Sequence, residues 1–361
     1  MLLLNPSNAK ALSGMVATQR QYEMTRQTIA RNSPARNARP RLVVTVDTEE
    51  EGLWGGEYRR EGNTVENIRG VPRFQQICDS LGVRPTYLVD TPVAASDEAV
   101  AILRPLQDEG RAEIGAHLHP WCAPPFDEPL GSENSYQCNL PVSLQREKLH
   151  NLTGLITKQF GSRPVSFRAG RYGLDVAGAR LLEELGYRVD SSVVPFYDYA
   201  PQHGPDFRDA PHTPYHVGHA SLCQRGEASS ILEVPVSTGY TRGEFNVRSR
   251  WRAWAASPAL RPLHMVGILD RLGLARRVKF SPEQASAAEM RRLVDAYVRQ
   301  RAPVMVMMLH SSSLSAGHSP YAADAAALEK LLGAMTETIK YCCEEMGMPS
   351  QTLAEFAQTF A

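Results

Sequence analysis

Along this chain the spacing of hydrophobic positions switches repeatedly between a period of two and a period near 3.6. "RLVVTVD" (41–47) is a β-branched run suited to a buried strand, and "VPRFQQICDSLG" (71–82) carries apolar residues at helical spacing and stops at glycine. "VRPTYLVD" (83–90) reads as the next strand, "DEAVAILRPLQDEG" (97–110) as a helix and "RAEIGAHLH" (111–119) as a further strand. The alternation continues through a helix at 143–161, a strand at 164–170, a helix at 174–186 and a strand at 187–192. Such a rhythm predicts an α/β fold, a parallel sheet or barrel built from βα units. Between about 193 and 280 it gives way to a stretch rich in Pro, His, Arg and aromatics, with one strand candidate, "SILEVPVS" (230–237), expected to be loops and an insertion over the barrel. It resumes with a Ser-capped helix at 281–300, the strand "PVMVMMLH" (303–310) and a helix from about 322 to 346. Residues 1–39 are expected to be a flexible extension, and 40–361 one domain.

Composition narrows the classes. Acidic and basic residues number 39 each, which argues against a dedicated binder of nucleic acid or anionic membranes. Six cysteines without CxxC spacing read as free thiols. The longest apolar run, near "VMVMML" (304–309), is far short of the ~18 residues of a membrane span. With no secretory signal legible in "MLLLNPSNAK", a soluble, cytoplasmic protein is expected. Oligomeric state is not legible.

The chemistry collects where strands end, which in parallel α/β folds is where sites form. The ends read "VTVDTEE" (Asp47, Glu49), "GAHLH" (His117, His119), "FRAGR" (Arg168, Arg171), "RVDSS" (Asp190) and "MMLHSSS" (His310). Strand alternation sends His117 and His119 to one face, roughly 6–7 Å apart, where two imidazoles can converge on one metal. Asp47 and Glu49 share a face for the same reason. Carboxylates, imidazoles and a guanidinium at successive strand ends are the composition of a metal-assisted hydrolase. Glu50 and Glu51 read as solvated loop charges, Asp190 and Ser191 as a turn or pocket wall, and the histidines of "PHTPYHVGH" (211–219) as loop residues.

In their order these motifs resemble the polysaccharide deacetylase superfamily, the NodB homology domain of carbohydrate-esterase type. "TVDTE" (45–49) stands for that family's TFDDG, "GAHLHPW" (115–121) for GSHTxxHP, "FRAGRYG" (167–173) for FRxPYG and "MLHSSS" (308–313) for its late Leu-His motif. The resemblance covers Arg41 to the C-terminus, loosely over 193–280. It implies an irregular (β/α)7-type barrel and removal of acyl groups from amino sugars of a polysaccharide or glycan precursor. Two departures stand out: Thr48 occupies the second Asp position, and Trp121 falls where the second His would be. Glu49 and His119 are the chemical replacements.

Carried residue by residue, the resemblance implies a divalent metal, zinc in first place, held by Glu49, His117 and His119. Asp47 is then the general base, His310 the acid, and Arg168 the group that orients Asp47. Trp121, Arg171 and Tyr172 are placed as contacts to a carbohydrate substrate. The alternatives are a metal-independent amidohydrolase on the same barrel, a non-catalytic glycan-binding relative, and a glycosidase. The last fits poorly, because Asp47 and Glu49 on one strand cannot flank a scissile bond.

Overall fold

A computed structural model describes residues 39–360 other than 228–230, 258, 261 and 263. The expected extension therefore lies, but for Arg39, outside the described residues. Ten strands follow in chain order: β1 (Arg41–Thr48), β2 (Thr86–Val89), β3 (Glu113–Leu118), β4 (Ser166–Ala169), β5 (Val189–Asp190), β6 (Tyr215–His216), β7 (Leu232–Glu233), β8 (Thr238–Tyr240), β9 (Arg277–Lys279) and β10 (Val304–His310). Eight form one curled sheet in the order β10-β1-β2-β3-β4-β5-β7-β6, parallel throughout except for β6 on β7. β8 and β9 pair separately and antiparallel. The chain leaving β7 then reaches the free edge of β10. Ser237 N–H donates to the Val306 carbonyl (3.2 Å), and Met308 N–H to Phe280 (3.1 Å). The result is the expected α/β barrel-like architecture.

Alternation along these strands makes two cores. Leu42, Val44 and Val46 join a large outer cluster with helices such as Val71–Ser80, Asp97–Asp108 and Val142–Phe160, whereas Val43, Leu88, Val189, Leu232, Val304 and Val306 fill the inner face. The amino-terminal end of that inner face is plugged by Leu353 and Phe356 of the short helix Leu353–Thr359. Its Thr352 and Glu355 form a reciprocal cap. Continuing the inner parity past the apolar layer leads to Asp47, Glu49, His117, His119, Arg168 and His310 at the opposite end.

Two expectations need correction. The 193–280 stretch is not only an insertion, because it supplies β6, β7 and the strap to β10. The helix expected from 281 starts at Ala287, where Ser286 and Glu289 make the capping box. The preceding turn thereby frees Glu283 for other work.

Candidate functional site

Register brings the strand-end residues together: Asp47 lies beside His310 on paired strands, and His117 beside Arg168. The His117 and His119 rings are 4.5 Å apart. Their Nε2 atoms lie 3.6 and 3.5 Å from Glu49 Oε2. His117 Nδ1 is 2.9 Å from the Arg168 carbonyl, which can only accept, so this nitrogen carries the proton and Nε2 keeps its lone pair. His119 Nδ1 is likewise held 2.7 Å from the Glu50 carboxylate.

This trio fits a metal. Tetrahedral zinc with bonds near 2.1 Å separates its ligand atoms by about 3.4 Å, close to the spacings seen. Burial drives the His117 pKa down to about 3 and that of His119 to about 4, so both imidazoles are neutral donors. Glu49 is buried with Oε1 lacking any hydrogen-bond partner. Burial and the neighbouring Asp47, Glu50 and Asp90 push its pKa well above the usual carboxylate range. A buried carboxyl crowded by other acids, with an orphan oxygen beside two neutral imidazoles, is a place for a cation.

Thr48, at the departing position, faces the other way and bonds the Val46 carbonyl at 2.9 Å. Glu49 therefore holds the inward place. Its backbone is positioned by Ser311 Oγ, which accepts from Glu49 N–H at 3.1 Å.

Two acid–base pairs face the trio. Arg168, fully buried, donates to Asp47 Oδ1 at 2.5 Å and is itself clamped by the Ser191 carbonyl (2.7 Å) and hydroxyl (2.9 Å). Burial raises the Asp47 pKa, but neighbouring positive charge, Arg168 foremost, outweighs it and brings it to about 2. His310 Nε2 stands 4.0 Å from Asp47 Oδ2. Its Nδ1 is 2.9 Å from Glu283 Oε2, and its backbone N–H donates to Glu283 Oε1 at 2.9 Å. Burial lowers the His310 pKa, yet the adjacent Glu283 and Asp47 raise it on balance above the ordinary imidazole value. A carboxylate held ionised thus sits beside an imidazole held protonated.

Glu50, Trp121 and Tyr172 are not where the sequence put them. Glu50 is no solvated loop charge: it is buried, accepting from His119 and, at 2.6 Å, from Trp121 Nε1. Trp121 is 3 % exposed, stacked on His119 at 4.3 Å and covered by Tyr58 at 5.0 Å. It supports His119 and has no face for a sugar. Tyr172 is also buried, its hydroxyl accepting from Lys279 Nζ at 2.5 Å and its ring packed on Tyr199. Arg171 is half-buried at φ 54°, its guanidinium donating to Tyr58 (2.7 Å) and Tyr136 (2.9 Å) hydroxyls, and no carboxylate pairs with it among the described residues. Asp190 is buried and bonded to Ser192 at 2.6 Å, away from the trio's contacts. The histidines of 211–219 join no metal-ligand group among the described residues.

Glu283 and Trp54 were missed by sequence reasoning. Glu283 comes from a turn masked by helix-like spacing. Trp54 meets the His310 ring edge-on at 5.1 Å and is 39 % exposed. A tryptophan soon after a strand-end acid cluster was the available hint.

Fold and site together define an α/β barrel whose strand ends bring Glu49, His117 and His119, a trio able to hold a metal ion, opposite Asp47 and His310. No family model matches the sequence, and a search of curated proteins finds no match. Solved structures do match. A protein described as a polysaccharide deacetylase from Mycobacterium smegmatis aligns over 91 % of this chain and 92 % of its own, at TM-score 0.52 and 16 % identity. One described as a glycoside hydrolase/deacetylase from Parabacteroides distasonis aligns over 89 % and 71 %, at TM-score 0.55 and 12 % identity. An allantoinase aligns over 91 % and 93 %, at TM-score 0.51 and 16 % identity. The chain has the NodB-like polysaccharide deacetylase fold.

Proposed function

We propose that the protein is a metal-dependent hydrolase that removes acyl groups from the nitrogen of amino sugars in a polysaccharide or glycan precursor. The observation that carries this reading is the convergence of Glu49, His117 and His119 on one point facing both Asp47–Arg168 and His310–Glu283. A divalent ion held by the trio, zinc in first place, would supply Lewis-acid charge to the acyl carbonyl. Asp47, kept ionised by Arg168, takes a proton from the attacking water. His310, kept protonated by Glu283, gives one to the departing amine. Trp54 beside His310 and the carboxylate-free Arg171 are the side chains offered to substrate.

The fold's likeness to an allantoinase, as extensive as that to the deacetylase, favours a second reading: the same acid and base acting on a small amide. Two experiments test these together. Elemental analysis of protein purified without added metal should give near one zinc or similar ion per chain, lost in His117→Ala/His119→Ala. Acetate release from N-acetylated sugar oligomers should accompany it. Wild-type protein that stays metal-free after zinc is added back overturns the ligand assignment, and turnover of cyclic or linear amides but no acetylated sugar selects the second reading.

A further inference from the structure

The balanced charge of the whole chain conceals a local excess. Residues 242–277 hold eight arginines against two acids, Glu244 and Asp270, while the chain as a whole has 39 of each sign. This segment leaves the body after β8 and returns at β9, and carries the helices Phe245–Ala255 and Met265–Arg271. Arg252 ties the two helices together through Asp270 (2.5 Å) and the Ala275 carbonyl (3.1 Å). Phe245 and Ala255 are buried, with Phe245 packed on Tyr240 and Tyr297.

The outer surface of the same segment is apolar. Eight large hydrophobic residues are exposed among the described residues, and five of them, Val247, Trp251, Trp254, Ile268 and Leu272, fall here, so the patch is not scattered surface. Val247, Trp251 and Trp254 are spaced four and three apart, on one helix face away from Phe245; Ile268 and Leu272 are spaced four apart on the second helix. Arg242, Arg250 and Arg271 are exposed and have no carboxylate partner among the described residues, and Arg248 lies over the Trp251 ring at 4.6 Å.

We propose that this helical pair docks on an anionic lipid bilayer. Tryptophans beside aliphatic residues, bordered by unpaired arginines, match an interface where rings and alkyl groups enter the headgroup boundary and guanidinium groups meet lipid phosphates. A second copy of the chain fits worse, because a symmetric contact sets arginine against arginine. Nucleic acid satisfies the arginines but has no use for exposed Val247, Ile268 and Leu272. The β9 root of the segment ends at Lys279, whose amine donates to the Tyr172 hydroxyl. The inference is independent of the chemistry proposed above.

The test is sedimentation of the full chain with vesicles of phosphatidylcholine alone or mixed with phosphatidylglycerol, at low and high salt. Binding is expected to the mixed vesicles only, weakened by salt, with a blue shift of tryptophan emission. Each arginine near an anionic surface is worth about fivefold in binding, so Arg250→Glu/Arg271→Glu should lower partitioning by more than about twentyfold. Trp251→Ser/Trp254→Ser should abolish the emission shift, with circular dichroism and Tm unchanged in both variants. Failure of wild type to bind mixed vesicles, or undiminished binding by both variants, overturns the proposal. So does a dimer in analytical ultracentrifugation that the tryptophan variant dissolves, or RNA binding tighter than vesicle binding and indifferent to that variant.

Discussion

At the residue scale, the site works by opposed electrostatics. Asp47 and His310 stand 4.0 Å apart, and each is held in one protonation state by a different partner. Glu283 raises the His310 pKa, so the protonated acid persists above the ordinary imidazole range and is lost as pH rises through the folded value. In Glu283→Gln the alkaline limb of the kcat/KM profile should therefore move to lower pH; a limb that stays in place would show that His310 is not the titrating acid. Arg168→Met removes the charge that holds Asp47 near pKa 2 and leaves its carboxylate buried without a partner. Steady-state kinetics should show kcat/KM reduced by about 10²–10⁴ at neutral pH. Linkage adds a stability effect: the depressed Asp47 pKa contributes roughly 2 kcal/mol above the unfolded value near 4, lost as pH falls toward 2.

At the element scale, strand parity does the placing. Leu42, Val44 and Val46 face helices, while Val43 faces the inner core and Asp47 the site. His117 and His119 obey the same rule two residues apart. Gly170, at the turn after β4, shows how tight the packing is. A Cβ there would lie 2.4 Å from His119 Cδ2 and 2.6 Å from the Leu118 carbonyl, so Gly170→Ala should displace the imidazole and reduce bound metal in elemental analysis. At the other end of the inner face, Phe356→Ala removes the plug under Val43 and Val306. Denaturant melts should show about 3–5 kcal/mol lost.

At the scale of the whole molecule, the proposed ion and the fold would be coupled. Glu49 follows β1 whereas His117 and His119 lie at the end of β3, and their convergence exists only once β1, β2 and β3 have paired. An ion present at about a hundred times its Kd would stabilise the folded state by about 2.7 kcal/mol. Chelation should accordingly lower Tm by roughly 5 °C in a calorimetric scan, reversed by zinc. An unchanged Tm would mean that no ion is bound there.

What the sequence by itself determined is what short-range periodicity encodes. A period of two selects Asp47 with Glu49, His117 with His119, Arg168 and His310 for one face, and the alternation of strands and helices puts that face at the carboxyl ends of a parallel sheet. Contacts between segments far apart in the chain were decided only by tertiary structure. Glu283 reaches His310 because the chain from Ser237 to Phe280 straps the free edge of β10, and Glu50 reaches His119 across 69 positions. Trp121 changed from an expected sugar platform to the support of His119 for the same reason. The charge balance of the chain likewise says nothing of arginines gathered on one helical pair, because an average carries no positions, and burial depends on which surfaces the fold brings together.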